Sequence, residues 1–181
     1  MFVAKQKRKT NIVEYLLYMF QIEDTIRACQ FDIDLLETKI IGQYKTTEEE
    51  YEEVKQWYEH LIQQMKSEDV IKTGHLIYID NFIKDINRMH IWLINNEKMN
   101  QYKQIYINVR PYILEFKAKT KIITPNEIEV ALNAVYGYLM LKLKNMEVGE
   151  ETTRAIQQIS KLLGELAKFY RQYESGTLIV D

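Results

Sequence analysis

Disulfide chemistry is missing from this chain. Cys29 is its one cysteine, so no internal bridge can form, and the redox reading is a reducing, cytoplasmic compartment. No cluster of Cys and His stands at metal-ligand spacing, so no metal and no cofactor is expected. Long apolar runs are missing too: the longest, Ala134 to Leu141, contains Gly137 and falls far short of the ~20 residues that span a bilayer. The opening Met1-Phe-Val-Ala-Lys-Gln-Lys-Arg-Lys9 places its charges after its apolar residues and lacks the uncharged stretch and cleavage site of a signal peptide, so export is not expected. Nor does one sign of charge dominate. With 24 Lys and Arg against 26 Asp and Glu the net charge is -2, which gives no general attraction to nucleic acid or to an anionic membrane.

Several enzyme classes fall away because their geometric demands are unmet. A di-iron bundle needs glutamate three residues before histidine on facing helices, and His60, His75 and His90 all lack it. A helical nucleotide pyrophosphohydrolase needs two acidic pairs on neighbouring helices to hold magnesium. Glu49 with Glu52, or Glu50 with Glu53, supplies one pair and nothing answers it. There is no phosphate-binding loop, no His-Glu-x-x-His and no nucleophile elbow. The expectation is a protein that is not an enzyme.

What is present is helical periodicity. Only two prolines and six glycines interrupt the 181 residues, and apolar side chains recur at three- and four-residue intervals almost throughout. The pattern predicts an all-α, single-domain bundle over residues 1–181, with about seven helices. The first predicted helix runs from about Thr10 to Cys29, the second from Asp32 to Gly42. The third opens at Thr47 with a capping box completed by Glu50. A connection from Lys66 to His75 leads to the fourth helix, from about Leu76 to a break at Asn95 and Asn96. The fifth carries Pro111, where loss of a backbone donor predicts a kink or a split. The sixth starts at Thr124-Pro-Asn-Glu127, read as a threonine cap, proline at the first helical position and a glutamate box, and runs to Val148. The seventh covers Glu151 to Tyr173, and a β-prone tail, Thr177 to Asp181, follows Gly176.

Helices one and six are apolar on nearly every side, so both are expected at the centre. Gly137 would let another backbone approach the sixth closely. In helix one the polar residues gather toward the C-terminal half, and a charge carried into a core needs a partner. Glu23 and Asp24 stand four and three residues before Arg27. Glu14, Tyr18, Gln21 and Thr25 form a second polar stripe. Two readings stay open: a structural ion-pair cluster, or a pocket between helices one, four and six in which Arg27 clamps a small anionic ligand, oriented by Glu23 or Asp24 with Gln21, Glu14 and His90 as further candidates. His90, beside Ile83, Ile86 and Ile94, also reads as a core-edge residue. His75 stands at the mouth of a helix, and His60 on a solvated face.

The basic cluster Lys5, Lys7, Arg8 and Lys9 reads as a solvated, frayed terminus, so no nucleic-acid partner is expected. The thirteen tyrosines favour interfaces, with Tyr44, Tyr78, Tyr138 and Tyr173 at element edges. A protein partner or a homo-oligomer is the leading expectation, and Leu178-Ile-Val180 is expected to pack on its own chain.

The segment Lys7-Arg-Lys-Thr-Asn-Ile-Val-Glu-Tyr-Leu-Leu-Tyr-Met-Phe-Gln-Ile-Glu-Asp-Thr-Ile-Arg-Ala28 resembles the opening of a family of bacterial proteins of unknown function. Gln56-Trp-Tyr-Glu59, Gly74-His-Leu76, Glu115-Phe-Lys-Ala-Lys119 and Leu132-Asn-Ala-Val-Tyr-Gly137 extend the resemblance along the chain. It implies a small all-helical cytoplasmic protein and supplies no activity, cofactor or catalytic residue.

Overall fold

The computed structural model describes residues 2–43, 47–120 and 123–180, and among them every regular element is helical. Eight α-helices follow one another: α1 (Phe2–Thr10), α2 (Ile12–Ala28), α3 (Ile33–Lys39), α4 (Glu48–Ser67), α5 (Ile77–Asn95), α6 (Asn100–Lys119), α7 (Glu127–Leu143) and α8 (Glu150–Glu174), with a 3₁₀ turn at Ile41–Gln43. None of these is long and apolar enough to cross a membrane.

Short polar side chains start most of them by accepting otherwise unpaired backbone amides. Asn11 accepts from the amides of Val13 and Glu14, Asp32 from those of Asp34 and Leu35, and Thr47 with Glu50 forms the expected capping box. At α7 the cap is Asn126, not Thr124. Its Oδ1 lies 3.0 Å from the amides of both Ile128 and Glu129. Thr124 instead accepts the Asn126 amide and donates to Glu129, while Glu127 turns to Tyr106 and Arg110. The helix therefore starts after the proline and ends at Leu143, ahead of the expected Val148, with Asn145 in the left-handed region at φ 55°.

Two further expectations are corrected. The terminus expected to fray forms α1, packed on α2 with Ala4 buried, which raises the helix count to eight. Its Arg8 makes a forked pair with Glu174 at 2.9 and 2.5 Å and lies 4.5 Å over the Phe82 ring. Pro111 does not split its helix: α6 is continuous through it. Ile107, whose carbonyl loses the donor, and Pro111 are both exposed, so water can take that acceptor.

The centre is shared by α2, α5, α7 and α8, each touching the other three. This widens the expected pair of central helices. Outside them α6 packs on α5, α7 and α8, while α3 and the 3₁₀ turn pack on α4. The α2 residues Leu16, Met19, Phe20 and Ile26 are almost fully enclosed, and α8 buries Ile159, Leu162, Leu163 and Leu166 along one side. In α7 burial fades along the helix: Ile128, Val130, Ala131, Leu132 and Ala134 are buried, Val135, Tyr136 and Tyr138 pack half-buried on the core, and Leu141 and Leu143 are exposed. Leu178 and Val180 of the tail rest on the core while Ile179 is exposed, and Tyr44 lies outside the described residues.

Candidate functional site

The polar end of α2 meets the connection between α4 and α5. Glu23, on a turn of α2 that faces inward, is 0% exposed. Its Oε1 accepts the Leu76 amide at 2.9 Å and its Oε2 lies 2.6 Å from His75 Nδ1. Since Leu76 caps α5 without a side-chain acceptor of its own, the Glu23 carboxylate does that work from a neighbouring helix, at the positive end of the α5 dipole. Glu68 repeats the device one residue on, accepting the Ile77 amide at 2.6 Å. The His75 ring stacks on Phe20 at 3.9 Å, and Phe20 meets Tyr136 edge to face.

Arg27, one turn beyond Glu23, reaches the same connection. Its guanidinium donates to the carbonyls of Val70 at 3.0 Å and Gly74 at 2.5 Å and to Asp24 Oδ1 at 2.9 Å; its buried Nε meets no acceptor among the described residues. Gly74 sits at φ 86°, a conformation open to glycine, and this turns its carbonyl region into the bend that Arg27 holds. Asp24 is exposed and accepts the Tyr136 hydroxyl at 2.7 Å, tying α2 to α7. Burial raises the Tyr136 phenol well above its usual range, and burial likewise raises the Asp80 carboxyl next to this group.

Glu23, Asp24 and Arg27 thus converge, whereas the other candidates lie elsewhere. Glu14 and Gln21 line a recess of about 300 Å³ with Lys7, Leu17, Tyr18 and Leu139. Lys7 pairs with Glu14 at 3.2 Å. His90 is buried between α5 and α6, its Nδ1 2.8 Å from the Tyr102 hydroxyl and its ring 4.7 Å from that of Tyr106. Burial lowers it to about 4, so it is neutral near pH 7. Sequence reasoning did not pair His75 with Glu23 or Tyr136 with Asp24; the available signal was a charge in need of a partner and a histidine beside a glycine. No group of three or more His, Cys, Asp or Glu among the described residues is placed to hold a metal ion.

Apolar side chains reach the surface at the end of α7 and along α6. The second half of α7 presents Leu139, Met140, Leu141 and Leu143, with Met146 just beyond, and of these Leu143 and Met146 are more than half exposed. Tyr18 of α2 and Tyr138, under the Lys142 ammonium, flank this half. Within it Gly137 costs about 0.5–1 kcal/mol relative to alanine. A Cβ added there would meet nothing of this chain within 4 Å. The other surface is a single file on α6: Ile107, Pro111, Leu114 and Ala118, all exposed.

No curated protein and no solved structure matches the chain. Residues 1–177 match the family described as "Domain of unknown function (DUF4924)". That span takes in all eight helices, the Glu23–Arg27 cluster and the exposed end of α7, and the chain belongs to this family.

Proposed function

We propose that this is a non-enzymatic helical domain that works by protein contact, and that its first partner is a second copy of itself, bound through the second half of α7. The observation that carries the reading is an apolar helix buried at its start and exposed at its end. A helix with little polar surface needs neighbours on most sides, and Leu141 and Leu143, with Met146 just beyond, are exposed. Flanking tyrosines and lysines suit the rim of such a contact. The α6 stripe is narrower, a single row between polar residues. Less supports the small anionic ligand at Arg27, because its terminal N–H groups already meet Val70, Gly74 and Asp24.

Light scattering across a concentration series tests the reading. A dimer is expected, dissociated by the joint substitution Leu141→Glu and Leu143→Glu, both at exposed positions, with circular dichroism as the check on folding. A monomer throughout the series overturns it.

A further inference from the structure

We infer that the two copies cross antiparallel, α7 against α7, centred on Gly137; this rests on the self-association reading above. Glu129, Asn133, Gly137, Met140 and Lys144 recur at three- and four-residue intervals and so share one side of α7 and its C-terminal cap, and none of them is buried. This side is apolar at its middle, acidic at its start and basic at its end.

Glycine at the centre fits a backbone crossing. The chain's own fold makes no use of the absent side chain, since the space above Gly137 is open to at least 4 Å. A helix laid across that point would use it, because the lack of a Cβ lets two backbones come close.

Charge then selects the direction. In a two-fold antiparallel pair, each residue before the centre faces one about equally far beyond it on the other copy. Glu129 meets Lys144 of the second copy, and Asn133 meets Met140 and Leu141. Each contact occurs twice. Glu129, in the acidic first turn, lies against Lys144, at the basic end, and the two helix dipoles run in opposite directions. A parallel pairing would instead set Glu129 against Glu129 and Lys144 against Lys144, which like-charge repulsion disfavours.

Sedimentation of the full chain, with far-ultraviolet circular dichroism as the check on folding, tests the arrangement. Gly137→Leu is expected to abolish the dimer, and Gly137→Ala, whose Cβ meets nothing of this chain within 4 Å, to weaken it with helicity unchanged. Glu129→Lys weakens association about tenfold, and adding Lys144→Glu restores it. Gly137→Cys, oxidised, yields a covalent dimer, since the crossing brings the two sulfurs together; Cys29 is buried and does not compete. If the chain dimerises but Gly137→Leu has no effect and Gly137→Cys does not cross-link, this arrangement is overturned while self-association stands. If the wild-type chain is monomeric, both fall.

Discussion

A carboxylate without solvent contact persists in a fold only while donors satisfy its oxygens, and Glu23 meets that condition with one ring N–H and one helix-terminal amide. Glu23→Ala leaves the Leu76 amide and the His75 ring without their acceptor, and a loss of about 3 kcal/mol is expected in urea unfolding. His90 makes a separate prediction. Burial holds it at about 4 in the folded chain, against an ordinary value of 6.5, with the Glu127 carboxylate pulling weakly the other way. Between those values the unfolded chain binds the extra proton, so stability is full above pH 6.5 and is lost as pH falls toward 4, by up to about 3 kcal/mol. Unfolding midpoints measured from pH 7 to 4.5 should fall less steeply for His90→Phe than for the wild-type chain. The need for partners near Glu23 was legible in the residues themselves, as an ionic group in an apolar helix. Their identity was not, because His75 and Tyr136 are distant in sequence and nothing local links them.

Helix ends follow local chemistry, which is why the capping box of Thr47 and Glu50 was legible in the sequence. The exception is instructive. Thr124 and Asn126 both qualify as caps, and asparagine wins because its amide oxygen reaches the amides of Ile128 and Glu129 together. Asn126→Ala should lower the stability of the chain by about 1 kcal/mol, and Thr124→Ala by less, in the same unfolding assay. Local rules also mislead at Pro111, whose cost depends on whether water reaches the freed carbonyl, and at α1, whose helical state depends on partners far away in Phe82 and Glu174.

Composition and periodicity identify an all-helical chain, yet they rank a helix by its own hydrophobicity and not by what surrounds it. For α2 the two agree. For α7 they part after Ala134, and that mismatch is the basis for expecting a second copy. A melting temperature that rises with protein concentration for the wild-type chain, and stays fixed for Gly137→Leu, would be the thermodynamic sign of that linkage. The last helix, α8, supplies a wall to α2, α5, α6 and α7 alike, so these four have no closed interior until it arrives. Burial in the other four is thus tied to α8, and the domain is expected to fold and unfold as one unit.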